Sequence, residues 1–390
     1  MERLSSVFAD FHIHIGSTDD GKPVKISASR NLTFAHIARE AADRKGINLI
    51  GIIDCHAPGV QRDILRLLDR GEMAEHVDGG IRYRTTTIML GCELEVKEDG
   101  RGAAHYLVYF PYLADMQDWT AWLSRHVKNI HLSSQRVYAS ARQVQQEVVD
   151  RGGLFIPAHI FTPHKSLYGS CTDAMADVLN PDQVSAVELG LSADTSMASR
   201  ISELDVLPFL TNSDAHSLPK IAREYNELLL KEPTFAEWKA ALGGEQGRAI
   251  QANYGLLPAL GKYHQTTCAA CGQKLNANEP SEVCPVCGKV RKTTGVAHRI
   301  ETIADRKEPD DQRRPPYKLQ VPLEFIPGIG KQMLDKLLQH FGTEMNVLHH
   351  VPAEELARVC GEQLAGRIDR ARSGQLDIES GGGGRYGKLK

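Results

Sequence analysis

The chain has 390 residues, 42% of them apolar and 24% charged, a globular balance that excludes wholesale disorder and allows two or three domains. No apolar run approaches the roughly eighteen residues of a membrane span, and residues 1–10 lack a basic stretch ahead of an apolar core. A cytoplasmic protein with no membrane partner is expected. The net charge of −3 hides an asymmetry: residues 1–255 carry 26 Lys and Arg against 33 Asp and Glu, whereas residues 256–390 carry 20 against 16. An acidic body followed by a basic part suits a catalytic unit with a polyanion-contacting extension.

Up to residue 254, short apolar, β-branched runs (7–11, 49–53, 87–92, 106–110, 154–157, 186–189, 207–210) alternate with stretches such as 34–45 and 136–150, whose apolar residues recur at helical spacing. Runs buried on both faces and separated by helices predict an α/β fold with a parallel sheet and right-handed crossovers. Seven such units fit a closed barrel over residues 1–255 better than two small open sheets.

Nearly every run ends in a residue able to bind a cation: His12 and His14, Asp54 and His56, Glu93, His159, then Asp214 and His216. His105 is the exception, standing at the start of its run. Strand ends of a parallel barrel share one rim, so these residues converge there. His12 and His14 project to one side of an extended chain, as do Asp214 and His216, because side chains repeat every second residue. Glu93 can bridge two cations. A metal-bound water loses its proton near neutral pH, so such a site predicts phosphoester hydrolysis with Asp214, His12 and Glu93 at its centre. His164 and Lys165 follow the His159 strand on the same rim, and a phosphate-binding and a purely solvated role are equally open to them.

Beyond a Gly/Pro boundary at 254–258, Cys268-x₂-Cys271 and Cys284-x₂-Cys287 fall within twenty residues, while the other four cysteines are scattered singly. Four clustered thiols present a closed tetrahedral set for one structural Zn²⁺ over residues 262–292, in place of a disulfide framework. Residues 293–320 are charged and poor in apolar side chains, which predicts a poorly packed linker. A helical segment follows over 321–374, and glycines 381–384 introduce a flexible tail over 375–390 that either docks a partner or stays disordered. Ile326-Pro327-Gly328-Ile329-Gly330-Lys331 resembles a helix-hairpin-helix, in which Gly328, Gly330 and Lys331 bring backbone amides to a DNA phosphate. A weaker second copy over 352–371 offers Arg367, Arg370 and Arg372 for phosphate contact or for solvation.

Residues 1–255 resemble the polymerase-and-histidinol-phosphatase (PHP) superfamily, through Asp10-Phe11-His12-Ile13-His14, Asp20-Gly21, Asp54-Cys55-His56, Glu93, His105, Pro157-Ala158-His159 and Asp214-Ala215-His216. That resemblance implies a distorted (β/α)₇ barrel holding two or three divalent ions (Zn, Mn or Mg). Its implied ligands are His12, His14, Asp20, His56, Glu93, His105, His159, Asp214 and His216. Asp19 competes with Asp20, and Asp54 with His56, because Cys55 interrupts the usual Asp-His pair. A PHP barrel, a four-cysteine ribbon and a helix-hairpin-helix in this order resemble the endonuclease Q family. The resemblance implies a DNA-repair endonuclease that nicks 5′ to uracil, hypoxanthine, xanthine or an abasic site, with DNA as partner; whether other repair or replication proteins, a clamp or helicase among them, also bind is left open by the sequence. A histidinol-phosphatase-like enzyme and a nuclease indifferent to lesions are the alternatives.

Overall fold

The computed structural model describes residues 3–275, 283–290, 292–375, 378–379 and 388–389. Its frame is a mixed sheet that opens with β1 (Ser5–Ile13), β2 (Leu49–Ile52), β3 (Ala74–Glu75), β4 (Ile81–Tyr83), β5 (Thr86–Lys97) and β6 (Ala103–Phe110). It continues with β7 (Arg136–Val137) and β8 (Leu154–Pro157), while β9 (Val187–Glu188) and β10 (Phe209–Leu210) form a separate parallel pair. β11 (Tyr225–Leu230) and β12 (Ala249–Gly255) return to the main sheet beside β1. Helices α1 (Phe34–Arg39), α2 (Pro58–Asp69), α3 (Leu113–Leu123), α4 (Ala141–Asp150), α5 (Thr195–Ala198) and α6 (Phe235–Leu242) lie between the strands.

The expected all-parallel order is met only in part. β1–β2 and β2–β5 are parallel, whereas β5–β6, β6–β8, β1–β11 and β11–β12 are antiparallel. The cause is loop length: five residues separate β5 from β6, enough for a hairpin through Gly100 (φ +72°) but too few for a crossover helix. The reversal accounts for His105. Because β6 runs against β5, the start of β6 lies beside the end of β5, with Glu95 opposite His105. β8 runs against β6 in turn, which places its C-terminal end, and His159 beyond it, near His105.

Alternate residues make one apolar core on the inner face of the sheet. Val7, Ala9 and Phe11 of β1 meet Leu107 and Tyr109 of β6, Leu154 and Ile156 of β8, and Leu210 of the separate pair. Trp238 of α6 fills one end, stacked on Phe11 at 4.0 Å between ring centres and edge-on to Tyr109. The intervening side chains of β1 pack outward against the helices, Phe8 and Ile13 among them. This division frees the polar residues at the strand ends to face a shared cleft.

The segment expected as a poorly packed linker is folded. Helix α7 (Val296–Ile303) buries Val296 and Ile300, and Arg299 donates to the Tyr168 and Thr172 carbonyls. Arg314 stacks 3.7 Å over the Phe209 ring and donates to the Leu204 and Leu207 carbonyls. Tyr317–Leu319 pairs in parallel with β12, extending the main sheet well past residue 255. Three of its arginines are spent on the body: Arg299 and Arg314 on backbone carbonyls and Arg306 on Asp205.

Helices α8 (Lys331–Phe341), α9 (Glu344–His349), α10 (Ala353–Cys360) and α11 (Glu362–Arg372) complete a helical C-terminal region. It is fastened to the body by a buried ion pair, Lys45 to Glu344 at 2.9 Å, and by His349, whose ring stacks on Phe8 and whose Nε2 lies 2.6 Å from the Tyr225 hydroxyl. In the expected flexible tail, Ile378–Glu379 pairs antiparallel with Lys388–Leu389, and glycines 381–384 lie outside the described residues. No helix among the described residues is long and apolar enough to cross a membrane.

Candidate metal-dependent active site

The cleft begins where β1 ends. The Ala215 N–H donates to the His12 carbonyl and the His14 N–H to the Ala215 carbonyl, both at 3.0 Å, so the two short motifs run side by side. The buried Asp10 carboxylate pins this arrangement, accepting from the N–H groups of Ser213 (3.0 Å) and Ala222 (2.8 Å). Asp214 and His216 are thereby laid next to His12 and His14. Asp214 and His159 both hold a left-handed backbone, at φ +46° and +30°, a strained state typical of positions fixed by function.

Three groups of donors converge: His12, His14 and Glu93; His14, Asp214 and His216; and Glu93, His105 and His159. The His12 Nε2 lies 3.6 Å from Glu93 Oε1 and 3.4 Å from Asp214 Oδ1, and the His14 Nε2 lies 3.6 Å from Glu93 Oε2 and from Asp214 Oδ1. Two donors each about 2.1 Å from a tetrahedral ion stand about 3.4 Å apart. The His12 Nε2, the His105 Nε2 and the His159 Nδ1 are buried without a hydrogen-bond partner, while the His105 Nδ1 lies 2.9 Å from Glu93 Oε1. Buried imidazole nitrogens left bare among carboxylates are costly unless a cation completes them. The residues therefore fit divalent ions.

Behind the inner residues stand two carboxylates that orient them. Both Glu188 oxygens lie 3.0 Å from His12 Nδ1, and Glu188 also accepts from the His159 N–H (2.8 Å) and the Asn212 side-chain amide (2.9 Å). Asp54 Oδ2 lies 3.0 Å from His14 Nδ1 and accepts from the Ile15 N–H at 2.7 Å. Each fixes a tautomer that turns Nε2 toward the cleft. Burial works against the charge on Glu93, yet His105, Lys25 and His14 hold its carboxyl well below the usual range. Burial and the Lys25 ammonium bring His14 down to about 4, whereas the Glu188 and Asp214 carboxylates outweigh burial and hold His12 well above the usual imidazole range. Burial likewise opposes ionisation of Asp214, but four imidazoles (His12, His216, His14 and His159) keep its carboxyl low.

Two expected ligands are not brought in. Asp20 sits on an exposed turn closed by Gly21 (φ +81°), bonded to the Thr18 hydroxyl and to Lys22 at 3.0 Å, beside a separate depression lined by Arg62 and Asp63. Its competitor Asp19 faces Arg66 at 3.5 Å. His56 is buried, with Nε2 3.3 Å from the Leu132 carbonyl, and joins none of the three groups. Asp54 stands behind His14. Sequence reasoning missed Glu188, Lys25 and the Ser133-Ser134 turn. Glu188 carried a signal, a carboxylate at the end of an apolar run, whereas Lys25 and the serines carried none. The Lys25 Nζ lies 3.1 Å from Glu93 Oε2 and 2.5 Å from Ser134 Oγ. Ser133 Oγ lies 3.3 Å from His14 Nδ1.

The cleft opens into a cavity of about 570 Å³ whose rim carries Lys165, Lys220, Arg223, Lys262, His164 and Tyr263. Lys165 is committed to Glu95 at 2.7 Å, and His164 meets the Tyr263 ring edge-on. Away from it, Cys268 and Cys287 sulfurs stand 3.5 Å apart and Cys271 and Cys284 sulfurs 3.7 Å. All four lie within 4.8 Å of one another. Each knuckle closes on a left-handed glycine, Gly272 or Gly288. The Ala270 and Cys271 N–H groups bring the Cys268 thiol down to about 6, while the neighbouring thiols help push Cys271 up to about 12, the split of four crowded sulfurs sharing their protons.

In the helical region Gly328 holds φ +100° and Gly330 precedes α8 with open space around its Cα. Arg367 donates to the Pro327 carbonyl at 2.7 Å and Arg372 to the Val347 and Val351 carbonyls. Both arginines thus brace the fold, leaving Arg370 the one of the three whose side chain is not tied to a backbone carbonyl among the described residues.

No protein-family model matches the chain. It is 51% identical over 389 residues to YqxK of Bacillus subtilis, spanning 99% of this chain and all of that one. Among solved structures it is similar to the lesion-specific endonuclease PfuEndoQ of Pyrococcus furiosus, with 33% identity, a TM-score of 0.85, and 99% and 95% of the two chains covered. It is similar to the same degree (33%, TM-score 0.86, 99% and 96% covered) to an endonuclease Q bound to a 27-mer duplex substrate with an abasic lesion at the active site.

Proposed function

The chain belongs to the endonuclease Q family, and we propose that it is a metal-dependent DNA endonuclease that nicks a strand at abasic sites and 5′ to deaminated bases. The observation that carries this reading is the bare, buried His12 Nε2 facing Glu93 and Asp214, in a chain matching endonuclease Q over 99% of its length. His12, His14, Glu93, His105, His159, Asp214 and His216 would hold the ions, which when bound supply Lewis acidity toward a phosphodiester and an activated water.

The chain's own residues set the geometry of that reaction. Glu188 and Asp54 lock the His12 and His14 imidazoles at the end of β1; Glu188 also holds the strained backbone of His159 through its N–H, and Asp10 holds the Ser213 N–H next to Asp214. Arg223 and Lys262 line the cavity and favour a polyanionic strand there, while Lys220 beside them is paired with Glu324 at 2.6 Å. The four thiols would take one structural zinc, and the amides around Gly328, Gly330 and Lys331 would hold a phosphate of flanking duplex without reading sequence. Extruding a base costs least where pairing is already lost, which favours lesions.

The test is nicking of end-labelled duplexes carrying one abasic site, deoxyuridine, deoxyinosine or deoxyxanthosine, with Zn²⁺, Mn²⁺ or Mg²⁺ supplied in turn. Nicks 5′ to lesions, absent from the undamaged duplex and from Asp214→Ala, are expected. Equal cutting of undamaged duplex would establish a nuclease indifferent to lesions. Hydrolysis of histidinol phosphate alone would establish the small-molecule phosphatase.

A further inference from the structure

We infer that Lys25 is a catalytic residue of this site, its ammonium donating to a non-bridging oxygen of the scissile phosphodiester. The inference rests on the nuclease reading above and adds to it a cationic side chain that the cluster of imidazoles and carboxylates does not include.

Lys25 is placed by backbone rather than by chance. Its N–H donates to the Ile15 carbonyl and the Ala28 N–H donates to its own carbonyl, so the segment after β1 folds back over the end of that strand. The side chain enters the cleft beside His14, Glu93, Asp214 and His216, and only 15% of it is exposed. An ammonium has three donors. One is taken by Glu93 Oε2 at 3.1 Å and one by Ser134 Oγ at 2.5 Å. The third has no partner among the described residues and belongs to a group lining the cavity.

Ser134 is built for this task. It holds φ +52°, which a serine adopts at a cost, and its hydroxyl donates a hydrogen bond to Glu93 Oε2 while accepting one from Lys25. A simple counter-ion for Glu93 needs no such bracket. The bracket fixes the ammonium at the wall of the cavity, next to the one carboxylate shared by two of the donor groups. A phosphodiester reaching those groups meets Lys25 at the same depth. Charge accumulating on its oxygens during displacement then finds a fixed cation that needs no reorganisation.

The variants are Lys25→Met, which keeps the length and removes charge and donors, Lys25→Gln, which keeps a donor, and Lys25→Arg. Each is assayed for nicking of an abasic duplex under saturating DNA, for DNA affinity, for bound metal by mass spectrometry, and for inhibition by inorganic phosphate. Losing one preorganised donor costs about 10²–10³ in rate. Lys25→Met is expected to lose that much in kcat, with DNA affinity within about threefold, metal content unchanged, and phosphate inhibition at least fivefold weaker. Lys25→Gln should fall between, and Lys25→Arg should recover part of the rate.

An unchanged kcat in Lys25→Met overturns the inference, and so does a loss of bound metal paralleling the loss of rate, since that makes the lysine a support for Glu93. If the wild-type protein nicks no duplex, the nuclease reading fails by itself. Binding of inorganic phosphate by the metal-loaded protein, compared with Lys25→Met, then still decides whether Lys25 touches phosphate.

Discussion

Replacing Glu188 with Gln changes one atom of a side chain that is 1% exposed and surrounded only by donors. The His12 imidazole, the His159 N–H and the Asn212 amide all point at its two oxygens, at 2.8–3.0 Å. A glutamine amide offers one oxygen and one NH₂, so at least one of these donors faces another donor in a buried place. That costs about 1–3 kcal/mol. The charge that makes His12 a stronger base is lost as well, and outer carboxylates of this kind support metal affinity by about 10–100-fold, or about 1.4–2.7 kcal/mol. Chelator competition on purified protein should show metal affinity falling by that factor, with nicking recovered at high metal concentration. The unchanged His14–Asp54 pair provides the internal control: Asp54→Asn should weaken metal through His14 in the same way. A Glu188→Gln protein that binds metal within twofold of wild type would refute the reasoning, because Glu188 would then be packing rather than orientation.

Other consequences follow from the fold. Burial pushes the Glu224 carboxyl up to about 8, so the folded chain keeps a proton that the unfolded chain releases near 4.5. Its contribution is fully present below pH 4.5 and fades as pH rises to 8, by up to about 5 kcal/mol in all; Glu224→Gln should flatten the alkaline limb of stability measured by urea titration at pH 6 and 8.5. Lys45→Ala leaves Glu344 buried and unpaired, and should cost about 3 kcal/mol in denaturant unfolding. Proteolysis should then begin in the helical region. Gly190 holds φ +78°, and a Cβ there would stand 2.9 Å from the His159 Cβ. Gly190→Ala should cost about 1–2 kcal/mol of backbone strain and displace His159, lowering kcat on an abasic duplex while gel-shift affinity stays near wild type.

Much of the centre was legible in the sequence because it is local. Period-two spacing alone puts His12 beside His14 and Asp214 beside His216, and four thiols in two tight knuckles have one sensible geometry. The apolar runs also marked the strands whose ends bear the donors. Strand direction was not legible, since a run of buried residues reads the same in parallel and antiparallel pairing, and a five-residue hairpin explains why His105 reaches the rim from the start of its strand. Asp20 illustrates the opposite limit. Its position resembled a ligand, yet a left-handed Gly21 turns the carboxylate to solvent. Segment 293–320 marks a related limit: its charge predicts exposure, whereas Arg299 and Arg314 spend theirs on carbonyls of the body. Residue identity and spacing name the side chains able to bind a cation and the short-range geometry of each pair. Which of them share a cleft, which carboxylates stand behind them, and that Lys25 lies among them emerge from the folded chain alone, because those relations depend on how loops far apart in the chain close over one another, and no periodicity records that.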